Sequence, residues 1–397
     1  MKKMPALDRF MTSEKIIQKN VWISSWVLSI SLLGDALLYV VLPVNAEAFG
    51  VSMVAVGLLL AINRIIRTFT YGLIVEIGQF FGARKLVFIA STCAAASTLG
   101  YGLFDSIYLL ILSRVLWGLS YAGLLVATLY YASINYNKTG SRIGISRSIE
   151  QVGPLTVMVL GTWLAATTGP KEVFIYLAWV SALGILLAFF LTEIKEDEKS
   201  QSPVAKRFSI AKPKPIDGLI FWMGFGIDGV FTVTIALLWL QYSDPETAVI
   251  IGGIILAARR TSEMIIAPFS GRLSDILGGA APLFSMLILC GVGFALLGVG
   301  SLILGSVALV ICRGALGTLF PAAASKLYAE DPLHSLTRNQ TWRDIGAAAG
   351  PLLTGVLLSF VSVTTIYFLM FILFAITSYW FIYSGEFKRL SQVNGMD

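Results

Sequence analysis

Twelve apolar runs, each near the length needed to cross the hydrocarbon core of a bilayer, take up most of this 397-residue sequence. A helix needs roughly 20 apolar residues to cross about 30 Å of hydrocarbon. Hydrophobic residues make up 56% of the chain and charged residues only 13%, which is far from the balance of a water-soluble domain. The sequence therefore predicts an all-α membrane protein with twelve transmembrane helices, at 21–43, 52–78, 86–104, 107–131, 144–167, 172–192, 216–241, 248–274, 282–300, 303–325, 341–361 and 364–384.

The basic residues are distributed unevenly between the two sides that twelve spans create. Short loops rich in lysine and arginine stay in the cytoplasm, and the loops on the opposite side hold only Lys171 among the 29 lysines and arginines. We therefore expect a multi-pass inner (plasma) membrane protein with both termini in the cytoplasm. The net charge of +6 then reflects topology, and we expect no nucleic-acid partner. Asp35 lies inside the first run, so this run does not read as a cleaved signal peptide.

The longest hydrophilic segment, Thr192 to Asp217, is charged and contains three prolines, which is typical of a linker. It separates six predicted spans from six others. We therefore expect a monomer organised as a cytoplasmic N-terminal segment (1–20), an N-terminal six-helix half (21–192), a cytoplasmic linker (193–215), a C-terminal six-helix half (216–384) and a cytoplasmic tail (385–397).

Several unusual residues recur in the same order in the two halves, about 195 residues apart, as in transporters that are built from repeats. The sequence GLLLAINR at 57–64 matches GIILAARR at 253–260, and RVLWG at 114–118 matches RGALG at 313–317. The repeat therefore indicates two pseudo-symmetric halves, with matched pairs Asp35 and Asp228, Arg64 and Arg260, Gly82 and Gly278, Arg114 and Arg313, and Gly153 and Gly350.

These residues resemble the major facilitator superfamily. The sequence GRLSDILG is similar to the loop motif of that family, with Gly271, Asp275 and Gly278 at its defining positions, while the first copy keeps only Gly82, Arg84 and Lys85. The resemblance implies a cavity lined by spans 1, 4, 7 and 10 and alternating access by rocking of the halves. It also implies an arginine motif at Arg114 and Gly118 and an antiporter-type motif at Gly153 and Pro154.

Charged residues inside a bilayer usually face a cavity and pair with one another, because burying each costs a few kcal/mol. The predicted spans hold six such bases and four acids: Arg64, Arg67, Arg114, Arg259, Arg260 and Arg313 against Asp35, Glu150, Asp228 and Glu263. Guanidinium groups bind carboxylate or phosphate through paired hydrogen bonds. The excess of positive charge therefore favours an anionic or zwitterionic solute.

Each embedded charge also has a structural interpretation. Arg260 with Glu263, and Arg147 with Glu150, have the spacing of ion pairs on one helix face. Asp35 is either a proton carrier or a permanent partner of an arginine.

The repeated Gly-Pro pairs also admit two roles. Gly153-Pro154 and Gly350-Pro351 are expected to bend or thin their helices where the halves meet. The sequence does not distinguish a role in gating from a role in packing for either pair.

Catalytic and metal chemistry find little support in the sequence. The single histidine, His334, lies in a predicted polar loop, and the three cysteines lie in apolar runs at unrelated spacings. We therefore predict a protein that is not an enzyme and needs no metal or cofactor.

The predicted function is secondary active transport, with proton-coupled export of a small anionic or carboxylate-rich metabolite, a siderophore-like molecule among the candidates. A multidrug/proton antiporter and an organic-anion uptake symporter stay open as alternatives. The expected partners are the solute, protons and the lipid bilayer.

Overall fold

The first half of the chain forms six long helices. The structure, a computed structural model, describes residues 6–134, 138–194 and 212–392. The helices are α1 (Ala6–Val44), α2 (Met53–Phe81), α3 (Ala83–Leu103), α4 (Ile107–Ser133), α5 (Thr139–Thr168) and α6 (Glu172–Ala188). Helix α5 contains Pro154 and widens directly afterwards into a π-helical segment, Val157–Gly161.

The second half repeats this organisation and adds one short helix. Its helices are α7 (Pro215–Trp239), α8 (Pro245–Leu277), α9 (Ala280–Gly298), α10 (Leu302–Leu327), α11 (Pro332–Leu357), α12 (Val363–Tyr383) and α13 (Glu386–Gln392). Helix α7 has its own π-helical segment, Gly224–Val230. The predicted breaks after residue 300 and after residue 361 are confirmed, because helices end at Gly298 and Leu357 and new ones begin at Leu302 and Val363.

Among the described helices, nine are long and apolar enough to cross a membrane, and α6 is a shorter apolar helix. The remaining long helices, α8 and α11, are more polar because they carry charged residues near their middles, such as Arg259 and Glu263 in α8 and Arg343 in α11. The all-α fold with two six-helix halves is thereby confirmed.

The described residues form two compact units. The first lies within residues 1–135 and 149–208, and the second within 136–148 and 209–397, so the beginning of α5 groups with the second unit. In the first unit α4 packs on α2 and α3, and in the second α10 packs on α8 and α9. The repeat in sequence is therefore also a repeat in helix packing.

Each unit has an aromatic-rich apolar core. In the first, the rings of Phe49 and Tyr101 pack edge-on against Phe174, with ring centroids 6.0 and 5.8 Å apart. In the second, Phe294 packs against Phe374 at 5.8 Å and against Tyr367 at 6.5 Å. These buried rings pack α3 against α6 in the first unit and α9 against α12 in the second.

Two helices begin much earlier in the chain than the sequence predicts. Helix α1 begins at Ala6, well before Val21, and α11 begins at Pro332, so His334 lies in the first turn of a helix and not in a loop. The Asp331 side chain accepts a hydrogen bond from the His334 backbone N–H, 3.2 Å away, and Pro332 suits a first helical position. Apolar content marks only the part of a helix inside hydrocarbon, whereas caps determine where the helix begins.

Candidate functional site

A buried aspartate–arginine pair lies between α1 and α4 in the first unit. The Nη1 group of Arg114 donates to Asp35 Oδ1 at 2.5 Å, and Asn63 of α2 donates to the same oxygen at 3.4 Å. Arg114 is fully buried, while the Asp35 side chain is 14% exposed. Asp35 and Arg114, each of which has a counterpart in the second half, thus form an ion pair between α1 and α4. Asn63 connects this pair to α2.

Arg114 is held by further contacts from α2 and α3. Its Nε group donates to the Leu59 carbonyl at 2.7 Å, and its Nη1 group lies 3.3 Å from the Tyr101 hydroxyl. The ring of Tyr39 lies 5.6 Å from the guanidinium carbon. The Nη2 group of Arg114 is a buried donor that has no hydrogen-bond partner among the described residues. The described residues therefore satisfy the Nε and Nη1 donors of Arg114 but not its Nη2 donor.

A second polar group in the first unit centres on Tyr121 of α4. The guanidinium of Arg67 stacks over the Tyr121 ring, 4.3 Å from its centroid, and the Tyr121 hydroxyl donates to Glu150 Oε1 at 3.2 Å. Trp117, one turn earlier, packs against the same ring. The structure thereby brings together the predicted site residues Arg67 and Glu150 through an aromatic ring.

The second unit holds a larger cluster around Asp228, which lies in the π-helical segment of α7. Asp228 Oδ1 accepts hydrogen bonds from Arg313 Nε at 2.6 Å and from Arg259 Nη1 at 2.9 Å. Its other oxygen, Oδ2, lies 3.0 Å from Nη2 and 3.1 Å from Nε of Arg343. Three guanidinium groups, from α8, α10 and α11, therefore converge on one carboxylate.

Glu263 of α8 extends this cluster, because its Oε2 atom lies 3.3 Å from Nη1 of Arg313. Arg313 is 4% exposed and Glu263 is 7% exposed. The Nε group of Arg259 is buried and finds no acceptor among the described residues. The cluster thus contains a buried N–H donor that no described residue satisfies.

The repeat relates the two clusters residue by residue. Asp35 and Asp228 are counterparts, as are Arg114 and Arg313, and both pairs are ion pairs. At the offset that matches α2 with α8, Asn63 corresponds to Arg259, so an amide that contacts the aspartate in one unit is a guanidinium in the other. The two units therefore share an ion pair but differ in the charge around it.

The loop motif of the second unit, Gly271 to Gly278, contacts the beginning of α5. Asp275 accepts hydrogen bonds from the backbone N–H groups of Gly140 at 3.0 Å and Ser141 at 2.7 Å, so it caps the N-terminus of α5. A Cβ atom on Gly271 would clash with the Gly140 carbonyl oxygen, so this glycine lets α8 and α5 approach closely. Gly278 follows with φ of +79° and ends α8.

The first copy of the motif has different contacts. Gly82 adopts φ of +86°, which allows α3 to begin directly after α2. Arg84 donates from Nη2 to the Phe189 carbonyl at 2.8 Å, next to the end of α6. These two residues join elements of the first unit.

Both Gly-Pro pairs lie at tight helix contacts within their own units. The Gly153 N–H donates to the Ser29 hydroxyl of α1 at 2.9 Å. A Cβ atom on Gly350 would lie 2.5 Å from the Phe225 carbonyl oxygen of α7, and Pro351 follows directly. The contacts that these glycines permit are thus between α5 and α1, and between α11 and α7.

Sequence reasoning missed two members of the Asp228 cluster. Arg343 is not among the embedded charges that the sequence predicts. Arg259 is counted among the embedded bases, but only its neighbour Arg260 is matched with a residue of the first half, Arg64. One residue rotates a side chain by about 100° around a helix, and the face of α8 that meets Asp228 carries Arg259. The match of Asn63 with Arg259 in the repeat was the signal that could have found it.

The composition of these clusters bears on metal chemistry. Within the described residues, no group of three or more histidine, cysteine, aspartate or glutamate side chains could hold a metal ion. The chemistry that the clusters offer is the recognition of charge and the exchange of ion-pair partners.

Comparison with known proteins gives a consistent result. The model of the family described as Major Facilitator Superfamily matches residues 25–325. Among solved structures, the human organic anion transporter MFSD10 (TETRAN) has a TM-score of 0.71 at 15% identity and covers 91% of this chain and 98% of its own. A search of curated protein sequences finds no match.

Two sugar transporters are similar to the same degree. The proton:xylose symporter XylE has a TM-score of 0.71 at 12% identity, with 96% of this chain and 99% of that one covered. The E. coli fucose:proton symporter FucP has a TM-score of 0.70 at 12% identity, with 90% and 96% covered. At these identities the likeness concerns the fold.

Proposed function

The chain belongs to the major facilitator superfamily and is a membrane transporter, and we propose that it exports a small organic anion in exchange for protons. Transport proceeds by alternating access. We place the protein in the inner membrane, as a monomer with both termini in the cytoplasm.

The convergence of three guanidinium groups on Asp228 carries this proposal. A guanidinium buried away from water needs an anionic or strongly polar partner. Near the cluster, the Nε group of Arg259 and the Nδ2 group of Asn339 are buried donors without an acceptor among the described residues. An anion supplies acceptors to such donors, whereas a cation would be repelled by the guanidinium groups.

We assign to Asp35 the binding of the proton that is exchanged for the anion. It faces one guanidinium, that of Arg114, and its side chain is 14% exposed, while Asp228 faces three and is 7% exposed. Neutralising Asp35 therefore removes the carboxylate partner of one buried arginine, and neutralising Asp228 removes a carboxylate partner from three. The smaller electrostatic cost favours Asp35 as the group that loses and regains a proton in each cycle.

Two observations outside the clusters agree with this assignment. The similar structures include an organic anion transporter and two proton symporters. Gly153-Pro154 of α5 is the pair that resembles an antiporter motif, and Gly153 binds α1, the helix that carries Asp35.

The test uses purified protein in vesicles with an acidic interior. We expect uptake of radiolabelled benzoate or citrate, and no uptake of the cationic dye ethidium. Asp228→Asn and Asp35→Asn are each expected to lower anion uptake at least tenfold. Asp105→Asn, an exposed acid between α3 and α4, is the matched control and is expected to transport like the wild type.

Three outcomes contradict parts of the proposal. Uptake that needs an acidic exterior would make the protein a symporter. Ethidium uptake without anion uptake would favour multidrug exchange, and anion uptake unchanged by Asp228→Asn would remove the cluster from the mechanism.

A further inference from the structure

The C-terminal helix α13 has a buried side that packs on the second unit. The ring of Phe387 packs against those of Phe284 in α9 and Phe381 in α12, with centroids 5.5 and 6.2 Å away. Leu390 is fully buried and lies against Gly279, between α8 and α9. Helix α13 therefore lies across the ends of α8, α9 and α12, and does not extend away from the unit into solvent.

The other side of α13 is exposed and basic. Its exposed residues are Lys388, Arg389, Ser391 and Gln392. Glu386, the one acid of this helix, is 2% exposed and faces inward. Its Oε2 atom accepts a hydrogen bond from the Ile216 N–H of α7, and its Oε1 atom accepts one from the Tyr328 hydroxyl at the end of α10. The exposed side of α13 thus presents two positive charges and no negative one.

Aromatic residues at the end of α12 indicate the depth in the membrane at which α13 begins. Tyr379, Trp380 and Tyr383 are exposed, and the two tyrosine rings stack with centroids 5.1 Å apart. Exposed tyrosine and tryptophan rings concentrate at the headgroup level of a bilayer. Gly385 turns the chain directly after these rings, with φ of +80°. Helix α13 therefore has the position and the two-sided character of an interfacial amphipathic helix.

Two further lysines, Lys212 and Lys214, are exposed at the beginning of α7. The Nζ atom of Lys214 lies 5.9 Å from the ring centroid of Tyr328, whose hydroxyl donates to Glu386 of α13. Lys214 is thus close to the first residue of α13. Glu330, exposed two residues after Tyr328, offsets one of these charges at most. We call the exposed residues Lys212, Lys214, Lys388 and Arg389 the basic surface, which keeps a net positive charge.

The phosphate groups of phospholipids lie at the level where α13 begins. Each lysine or arginine near an anionic bilayer surface strengthens attachment about fivefold. The second unit also offers apolar surface next to α13, because Phe284, which contacts Phe387, and Leu277 at the end of α8 are both exposed. A molecule that carries both an anionic headgroup and hydrocarbon chains therefore fits this region better than a soluble anion.

We propose that the basic surface binds the headgroup phosphate of an anionic phospholipid such as phosphatidylglycerol, with Lys388 and Arg389 as its main contacts. The bound lipid holds α13 against the second unit. Since Glu386 of α13 binds the beginning of α7, the helix that carries Asp228, the lipid also stabilises that helix. This inference concerns a membrane partner and is independent of the solute and of the direction of transport.

The test uses the full-length protein in nanodiscs that contain a phosphatidylglycerol with a photoreactive group near its phosphate. After illumination, proteolysis and mass spectrometry locate the cross-links. We expect labelling within residues 385–392 that added phosphatidylglycerol suppresses, and that phosphatidylcholine and soluble glycerol 3-phosphate do not. Lys388→Gln/Arg389→Gln is expected to lower this labelling about tenfold, whereas Lys388→Arg/Arg389→Lys keeps both charges and is expected to label like the wild type.

The matched control is Lys15→Gln/Lys19→Gln, which removes two exposed bases from α1 and is expected to leave the labelling of 385–392 unchanged. Thermal unfolding of the same samples gives a second readout. In phosphatidylcholine alone, Lys388→Gln/Arg389→Gln and the wild type are expected to unfold at the same temperature, because both side chains are exposed. Phosphatidylglycerol is expected to raise the midpoint of the wild type more than that of the variant, since a ligand of the folded state stabilises it.

Three outcomes overturn the proposal. Suppression of the labelling by phosphatidylcholine would show that the headgroup charge does not matter. Undiminished labelling in Lys388→Gln/Arg389→Gln, or an equal loss in the α1 control, would show that these two residues do not form the site. An equal rise of the unfolding midpoint in the variant and the wild type would show that lipid bound at α13 does not stabilise the second unit.

Discussion

At the scale of single residues, the two units differ in how one aspartate is neutralised. Asp35 has one arginine and one asparagine as partners, whereas Asp228 has three arginines. Removing one member of a buried ion pair leaves an uncompensated charge and typically costs 3–5 kcal/mol. The loss depends on how many partners the removed residue had, so the arginines around Asp228 are not equivalent.

Arg313 is expected to be the least replaceable of them. Arg313→Asn removes one partner from Asp228 and one from Glu263, and we expect it to lower the free energy of unfolding by about 3–5 kcal/mol. Arg259→Asn leaves Asp228 with two arginines and restores the residue type found at Asn63, so we expect a loss of less than about 1 kcal/mol. Thermal unfolding of the detergent-solubilised protein, followed by tryptophan fluorescence, measures both. Equal losses for the two variants would contradict this ranking.

At the scale of elements, glycine decides how closely the charged helices approach one another. Gly350 of α11 lies against Phe225 and Gly229 of the π-helical segment in α7. This segment also carries Asp228, and α11 also carries Arg343. The short separation of the two backbones therefore brings Arg343 within hydrogen-bonding distance of Asp228.

Gly350→Ala tests this contact. The added Cβ atom would lie 2.5 Å from the Phe225 carbonyl oxygen, and overpacking of this kind costs typically about 1–3 kcal/mol. We also expect anion uptake to fall, because α11 moves away from α7. Gly355→Ala, one and a half turns later in the same helix, has no atom within 4 Å of its Cβ and is expected to be neutral or stabilising by up to about 1 kcal/mol. Equal midpoints of thermal unfolding for the two variants would contradict this prediction. They would show that α11 and α7 can adjust to the added Cβ atom without loss of stability.

At the scale of the whole molecule, the chain is two copies of one helical arrangement with different charges. Lys171 pairs with Asp105 between helices of the first unit, at the end where α3 and α5 finish. The C-terminal helix α13 instead holds the beginning of α7, because Glu386 Oε2 accepts a hydrogen bond from the Ile216 N–H at 3.0 Å. These contacts lie at helix ends that the proposed topology assigns to opposite sides of the membrane.

Labelling of single cysteines tests this topology. In a protein without its natural Cys93, Cys290 and Cys312, we expect Asp105→Cys to react with an impermeant maleimide added to intact cells. Lys388→Cys, an exposed position in α13, is expected to react only after the cells are permeabilised. The reverse pattern would invert the proposed orientation and the direction of export.

The sequence by itself determined the membrane class, the number of long helices and the repeat. Lipid requires each span to be a continuous apolar helix. The membrane class and the number of helices can therefore be recognised from consecutive residues of the sequence. Repeated residues such as Asp35 and Asp228, or Arg114 and Arg313, kept their order and could be matched without a structure. Only the tertiary structure decided which charges meet. Arg259 and Arg343 reach Asp228 from α8 and α11, because helix rotation and the close approach of α11 to α7 set those distances, and neither is encoded in residues that are neighbours in sequence.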